Sequence, residues 1–157
     1  MADDYRAVLL KQAPGKVVQN ALAKLLQVDA HLLEVDANER AISHRLAMYL
    51  QEQLPRLSVD CEYNRDGVDP KRLNYLDIHP DEEDTEAKTV FPDIIAHRRK
   101  TDENYLVIEM KKSTSTVDRK VDYAKLQGYK RQLRYRHALF IELGCLDRAG
   151  QIYVEWL

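Results

Sequence analysis

The stretch FPDIIAHRRKTDENYLVIEMKK, residues 91–112, decides the fold of this chain. It holds two apolar runs, residues 91–97 and 105–112, that are short, rich in Ile, Val, Leu and Tyr, and bounded by charged residues, which is typical of β-strands. The polar residues 98–104 between them predict the turn of an antiparallel hairpin. Working outward from this hairpin, the chain before and after it predicts the layers that cover the strands.

The hairpin is expected to collect three charged side chains at one end. Antiparallel pairing places Asp93, at the start of the first strand, beside Glu109 and Lys111, at the end of the second. Side chains alternate across a strand, so Glu109 and Lys111 share a face. Asp93 joins that face if paired residue numbers add to an even value, which requires a loop with an odd number of residues. Burying charges at the end of an otherwise apolar pair of strands costs free energy unless the charges form ion pairs or hold a metal ion. We therefore expect a functional site here.

Length and composition are those of one ordinary domain. The chain has 157 residues, 45% hydrophobic and 32% charged, enough to bury about 70% of the surface of the unfolded chain. No apolar run approaches the roughly 20 residues that span a membrane, and the start lacks a signal-peptide pattern. Cys61 and Cys145 show no spacing motif, which predicts free thiols in a reducing cytoplasm, and the five His show no zinc-ligand spacing.

Charge is distributed unevenly although the net charge is only −2. Residues 77–86 hold six acids and no base, and residues 98–137 hold twelve Lys or Arg against five acids. Solvated faces are the ordinary explanation of such runs, and a phosphate-facing surface is the alternative for the basic half. Residues 66–90 lack periodicity, and we expect a partly mobile loop beside the site.

Hydrophobic periodicity predicts the remaining elements. Helices are expected over residues 3–11, 16–27, 38–54 and 117–133, the last capped from the Ser/Thr run 113–116, with residues 31–33 as a connector. Further strands are expected over residues 57–63, 137–143 and 151–157. If the first of these runs antiparallel to the strand that begins near Asp93, Arg65 emerges close to that acid. The sequence therefore predicts an α/β (α+β) domain over 1–157, with a helical N-terminal extension at 1–35 and a core at 36–143.

Glu39 has two interpretations. It lies in the first turn of the helix predicted over 38–54, on the same stripe as Ile42 and Leu46. In the first interpretation it completes a capping box in which Asp36 is the cap, and its charge suits the helix dipole. In the second its apolar neighbours direct it inward, where an acid can serve the site. Arg65, Asp122 and Lys125 likewise could be surface charges or parts of the site.

This order of elements and charges resembles the PD-(D/E)XK phosphodiesterase superfamily. Pro92-Asp93 and Glu109-Met110-Lys111 match its core motif, and Glu39 matches the acid of its first helix. The resemblance covers roughly residues 36–143. It implies a restriction-endonuclease-like fold, a three-layer α/β/α core with a mixed central sheet.

Two further patterns extend the resemblance. Asp122 and Lys125, followed by Leu126, look like an Asp-x-x-Lys-Leu pattern in the helix after the hairpin of some members. Residues 38–40, 60–65 and 92–95 resemble a group of uncharacterised bacterial proteins within the superfamily, from which no activity can be transferred.

The residue types suit phosphodiester hydrolysis. Mg²⁺ takes hard oxygen ligands and usually one or two carboxylates, which Asp93 and Glu109 could supply together with the backbone carbonyl of Met110; Mn²⁺ could substitute. Glu39 could bind or orient a metal-bound water. Lys111, held between carboxylates, could position or deprotonate that water and offset phosphate charge. The predicted phosphate-binding group is made up of Arg65, Lys112, Asp122 and Lys125.

The sequence therefore predicts a metal-dependent nuclease acting on nucleic acid, with DNA favoured. The alternative is an inactive nuclease-like subunit for nucleic-acid binding or assembly, in which the hairpin charges form a structural ion-pair cluster. A third interpretation is a protein-interaction module. No helix-turn-helix or zinc finger is visible, so specificity would come from a homodimer or a partner subunit.

Overall fold

The computed structural model describes residues 4–63, 71–74, 87–89 and 91–157, and it is a mixed α+β structure. Five α-helices lie in these ranges: α1 Tyr5–Leu9, α2 Gly15–Val28, α3 Ala30–Glu34, α4 Glu39–Gln53 and α5 Arg119–Gln132. The strands are β1 Ser58–Cys61, β2 Arg72–Asn74, β3 Ala87–Thr89, β4 Ile94–His97, β5 Asn104–Lys112, β6 His137–Leu143 and β7 Ile152–Trp156. A 3₁₀ turn, Leu146–Arg148, precedes β7.

The central sheet has five strands in the order β1-β4-β5-β6-β7. The pairs β1–β4, β4–β5 and β6–β7 are antiparallel, and β5–β6 is parallel, joined through α5. The prediction of a mixed sheet is therefore confirmed, and β1 runs antiparallel to β4, which is the condition on which the predicted position of Arg65 depends. Strands β2 and β3 form a separate two-stranded sheet inside the stretch predicted as a loop. The predicted mobility of the rest of 66–90 lies outside the described residues.

The register of the β4–β5 hairpin decides which side chains share a face. Ile94 pairs with Ile108 and Ala96 with Leu106, so continuing the register by one position brings Asp93 opposite Glu109. The expectation of an odd-numbered loop is wrong, because residues 98–103 make a loop of six between the paired ends of the strands. Instead, a register shift next to that loop inserts one extra residue into β5. With this bulge, a loop of six residues still gives paired residue numbers that add to an even value, so Asp93 can share a face with Glu109.

One face of the sheet is covered by α2 and α4. Ile94, Ile108 and Met110 pack there against the helical stripe that includes Leu46. Leu22 of α2 belongs to the same core and is fully buried. The N-terminal helices are thus part of the main hydrophobic core rather than an appendage to it.

The opposite face is covered by α5. Ile95 and Val107, the alternate residues of the two hairpin strands, pack there with Leu126 and Tyr129. Both faces of the hairpin are buried, as the double apolar pattern predicts, because each carries its own helix layer. The result is three layers, with helices on either side of the sheet.

Two helix starts differ from prediction. Asn38, not Asp36, caps α4, and its side-chain oxygen accepts from the backbone N–H of Ala41 at 2.8 Å. Asp36 instead binds two other side chains: its Oδ1 accepts from the Thr114 hydroxyl at 2.8 Å and contacts Lys112 Nζ at 3.0 Å. Helix α5 begins after its cap Asp118, beyond the Ser/Thr run. Local sequence cannot rank neighbouring cap candidates when a tertiary partner claims one of them.

Two smaller expectations also have outcomes. The connector predicted at 31–33 belongs to helix α3. Cys61, which is exposed, and Cys145, which is buried, are both free thiols. None of the described helices is both long and apolar enough to cross a bilayer.

Candidate functional site

Two carboxyl groups form the centre of the candidate site. Asp93 lies just before β4 and Glu109 lies in β5, and their side chains are hydrogen-bonded to each other. The backbone N–H of Met110 donates to Asp93 Oδ2 at 2.8 Å, and the hydroxyl of Tyr129 on α5 donates to Glu109 Oε1 at 2.9 Å. Glu109 is only 3% exposed and Asp93 is half-buried, so the pair lies at the boundary between the core and the surface.

Burial controls the ionisation of the pair. It is the largest cause that raises the pKa of Asp93 above its usual value, and it raises the pKa of Glu109 much further, with the Asp93 charge adding to it. Two carboxylates in contact at a desolvated site repel each other, which favours the protonated form of Glu109 in the absence of a cation. Burial and the neighbouring Glu109 charge also raise the pKa of Tyr129, which keeps its hydroxyl as a donor.

Lys111 makes a different contact from the one predicted. It does not lie between the two hairpin acids but pairs with Asp122 of α5, Nζ to Oδ2 at 2.8 Å. Both side chains are at most 10% exposed, so Asp122 is not a solvated helix residue. Neither is it placed to bind phosphate, because a carboxylate in a buried ion pair would repel one. Its evident effect is to hold the Lys111 ammonium in position.

Lys125 supplies the positive charge that acts on the acid pair. Its charge lowers the pKa of both Asp93 and Glu109 against the effect of burial. The ammonium is half-buried, three residues after Asp122 and four before Tyr129. This spacing puts the three side chains on one face of α5, over the ends of β4 and β5.

Glu39 joins the site from the opposite helix layer. It is half-buried at the start of α4, and it accepts a hydrogen bond from the backbone of Lys112 at the end of β5. Burial is the main cause that raises its pKa; the Asp93 charge raises it further and the Lys111 charge lowers it. The capping box with Asp36 is therefore wrong, and Glu39 faces the acids and the lysine that the sequence placed with it.

A pocket of about 330 Å³ opens beside Asp93 and Glu39, between α4 and the end of β1. Arg40 and Glu62 lie at its rim as an exposed ion pair at 3.5 Å. Cys61 also lines it, and burial raises the pKa of its thiol to about 11. The thiol is therefore protonated near neutral pH and is no nucleophile. The pocket offers room for a substrate next to the acid pair.

One of the predicted phosphate contacts, Lys112, lies away from this centre. Lys112 follows Lys111 and points to the other face of β5, where its ammonium contacts Asp36 at 3.0 Å and the carbonyl oxygen of Ala37 at 3.1 Å. Its ammonium thus lies on the face of β5 away from the acid pair, so we omit Lys112 from the phosphate contacts proposed for the site. Arg65 lies outside the described residues.

Tyr129 is the site residue that sequence reasoning missed. Its place among the apolar residues of the helix predicted over 117–133 favours a packing role, because a tyrosine among leucines ordinarily serves packing. Its position seven residues after Asp122, on the same helical face, is the available signal. A tyrosine ring packs like other aromatics while its hydroxyl seeks a partner, so a buried tyrosine near two acids could have been assigned to them.

The donor set suits a hard divalent cation. Within the described ranges, no three His, Cys, Asp or Glu side chains come close enough together to hold a metal ion. Mg²⁺ does not need three, since it commonly binds through one or two carboxylates and keeps several waters. Asp93 and Glu109 provide two in contact, and a cation held by them would offset their mutual repulsion. The residues present therefore fit Mg²⁺.

Comparisons with models of protein families, with curated proteins and with solved structures found no match for this chain. The resemblance to the PD-(D/E)XK superfamily thus rests on the order of the elements and on the motif residues. What the site can do must be inferred from its own geometry.

Proposed function

We propose that this protein is a metal-dependent nuclease that hydrolyses phosphodiester bonds of nucleic acid, with DNA as the favoured substrate. The observation that carries the proposal is the hydrogen-bonded pair of Asp93 and Glu109 at the end of the central hairpin, beside a pocket and two lysines. A mixed sheet covered by helices on both faces supports a restriction-endonuclease-like fold.

The proposed metal site consists of the carboxylates of Asp93 and Glu109 with the backbone carbonyl of Met110. When bound there, Mg²⁺, or Mn²⁺ in its place, would supply Lewis-acid stabilisation and lower the pKa of a bound water. The Met110 N–H and the Tyr129 hydroxyl fix the two carboxylates, and rigid ligands lower the cost of assembling such a site.

Three further side chains have proposed roles toward water and phosphate. Glu39 has a raised pKa and faces Asp93, so it can accept a proton from the attacking water or orient it. Lys111, held by Asp122, positions the water and offsets negative charge that develops on the phosphate. Lys125 serves as a phosphate contact that carries no sequence information, so specificity is left to a second copy or a partner subunit.

The experiment that tests the proposal separates metal binding from cleavage. Calorimetric titration with Mn²⁺ should show a binding site in the wild type, and cleavage is assayed on supercoiled, linear, single-stranded and branched DNA and on RNA. Asp93→Ala should abolish both Mn²⁺ binding and cleavage. Lys111→Ala should keep the Mn²⁺ site and lose on the order of 10²–10⁴ in cleavage rate, because its charge acts mainly in the transition state. Lys16→Ala, exposed on α2, is the control with the same charge change.

The outcomes distinguish the alternatives. Protein that binds Mn²⁺ but cuts none of these substrates favours the inactive nucleic-acid-binding or assembly subunit. One observation favours that alternative: in the described ranges, no group of three metal-ligating side chains is present. Protein that binds neither metal nor nucleic acid contradicts both functions.

A further inference from the structure

A second pocket, of about 210 Å³, lies at the carboxyl ends of the parallel strands β5 and β6. Its walls come from the first turn of α5, the end of β6, and the 3₁₀ turn that leads into β7. In sheets of this kind, ligands commonly bind beyond the carboxyl ends of parallel strands. The pocket takes no part in holding the acid pair.

This pocket adjoins the candidate site through two ion pairs that lie side by side. Lys111 of β5 is the register partner of Glu142 on β6, and their helix partners, Asp122 and Arg119, are three residues apart on α5. Neighbouring strands are about 5 Å apart, as are side chains three apart on a helix. The Arg119–Glu142 pair, at 2.8 Å, therefore continues the line of charges that begins with Lys111–Asp122. A strand of nucleic acid at Lys111 could extend directly into this pocket.

Arg119 forms a rigid cationic wall. Its guanidinium stacks over the ring of Tyr153 at 4.5 Å and is held by Glu142. Contacts with Glu142 and Tyr123 use two of the five N–H donors of an arginine. A stacked, planar guanidinium suits the geometry of phosphate oxygens better than a lysine ammonium does.

Arg148, an exposed residue of the 3₁₀ turn, is the second arginine that lines the pocket. Its Nε donates to Gln151 Oε1 at 3.3 Å. The turn that carries it lies unusually close to the end of β6, since a Cβ on Gly144 would come within 2.0 Å of the Arg148 carbonyl oxygen. Only glycine permits that approach, so the backbone here is built to bring Arg148 against the pocket.

The charges in the pocket match one phosphodiester. Two guanidinium groups, of Arg119 and Arg148, face one carboxylate, of Glu142, which leaves a net charge of +1 among these lining residues. A phosphodiester carries one negative charge. An acidic lining would have suited a cation, and an apolar one a base or a lipid tail.

We infer that this pocket binds the phosphodiester next to the scissile one, with Arg148 as the contacting cation and Arg119 as the fixed wall. The inference rests on the proposed function and adds to it a subsite that directs the strand from Lys111 toward β7. The subsite contributes to strand binding without any contact to the acid pair.

The test measures DNA binding in EDTA, where no cleavage occurs. Fluorescence anisotropy of labelled single-stranded and duplex oligonucleotides is followed over a range of NaCl concentrations. Arg148→Ala should weaken binding about three- to tenfold at low salt and reduce the slope of log K against log salt by about 0.7–0.9, the value for one lost phosphate contact. Arg148→Lys keeps the charge and should keep the slope.

Arg56→Ala is the matched control. Arg56 is equally exposed but precedes β1, at the end of the sheet away from the site, so its removal should leave the slope unchanged. If Arg148→Ala and Arg56→Ala have the same affinity and slope, the subsite is wrong while nuclease function stands. If the wild type binds no oligonucleotide at any salt concentration, both the subsite and the proposed function are wrong.

Discussion

Asp93, which is half-buried, and Asp122, which is buried, have opposite electrostatic surroundings. Asp93 contacts another carboxyl group, and Asp122 contacts the ammonium of Lys111. Removing the charge of Asp93 relieves repulsion from Glu109, whereas removing the charge of Asp122 leaves the ammonium of Lys111 buried and unpaired. The two residues therefore distinguish a repulsive pair of acids from an attractive ion pair.

A matched pair of substitutions tests this difference by thermal unfolding in EDTA. Asp93→Asn should leave the melting temperature of the metal-free protein unchanged or raised. Asp122→Asn should lower the free energy of unfolding by roughly 3–5 kcal/mol, the usual cost of breaking a buried pair. A marked drop for Asp93→Asn would instead favour the structural-cluster interpretation of the hairpin charges.

Glu109 gives a prediction about pH. Its pKa is raised well above the ordinary value in the folded protein, so the unfolded chain releases this proton first as the pH rises from about 4.3. The stability that Glu109 contributes is complete below that pH and is lost as the pH rises toward the folded pKa. Glu109→Gln cannot titrate, and metal-free Glu109→Gln should therefore gain stability relative to the wild type as the pH rises above about 4.3.

Urea unfolding at each pH measures this gain. The difference should grow by up to about 1.4 kcal/mol per pH unit while one proton distinguishes the two states. Glu34→Gln, exposed on α3, is the control and should follow the wild type. If the free energy of unfolding of the wild type changes with pH in parallel with that of Glu109→Gln, Glu109 is ionised in the folded, metal-free protein.

At the scale of elements, α4 and α5 each deliver a site residue from their first turn. Glu39 directly follows the Asn38 cap, and Asp122 lies in the first turn after the Asp118 cap. A helix terminus is anchored by its cap, so the position of each acid depends on local capping as well as on packing.

Asn38→Ala tests the capping of α4. Loss of the side-chain bond to the N–H of Ala41 should cost about 1 kcal/mol in the free energy of unfolding, measured in urea. Asn38→Asp keeps an acceptor at the cap and should restore most of it. Asp36→Ala should act differently, by releasing Lys112 and Thr114 without uncapping the helix.

For the whole molecule, one core unites the N-terminal helices with the sheet. Leu22 of α2 and Ile108 of β5 belong to the same buried cluster, although one lies in the predicted extension and the other in the hairpin. The layer that contains Glu39 is therefore held in place by residues far before it in the chain.

Leu22→Ala tests whether residues 1–35 are integral. Truncating a fully buried leucine should cost about 2–5 kcal/mol and lower the midpoint of a single cooperative transition followed by circular dichroism. Leu10→Ala, at a leucine that is 56% exposed, is the control and should change stability little. A separate early transition confined to the helices would show that the extension unfolds independently.

Local periodicity determined the elements that the sequence predicted correctly. Alternation and apolar runs gave the hairpin and β6, the latter with bounds 137–143 as predicted, and the helical stripe of α4 pointed to an inward Glu39. Such patterns depend on residues two to four positions apart, which the chain geometry alone places on one face. For the same reason the sequence could predict that Asp93 meets Glu109, since a hairpin joins neighbouring segments.

Only the tertiary structure decided the partners of those residues. The pairing of Lys111 with Asp122, the bond from Tyr129 to Glu109 and the capture of Lys112 by Asp36 all join residues brought together by packing of different layers. The bulge that sets the hairpin register likewise replaced the odd loop predicted from spacing. Each charged side chain had several acids or bases as possible partners, and the energies of the alternative ion pairs, taken in isolation, are nearly equal. The choice among them depended on which side chains the folded layers buried together, where an unpaired charge is most costly.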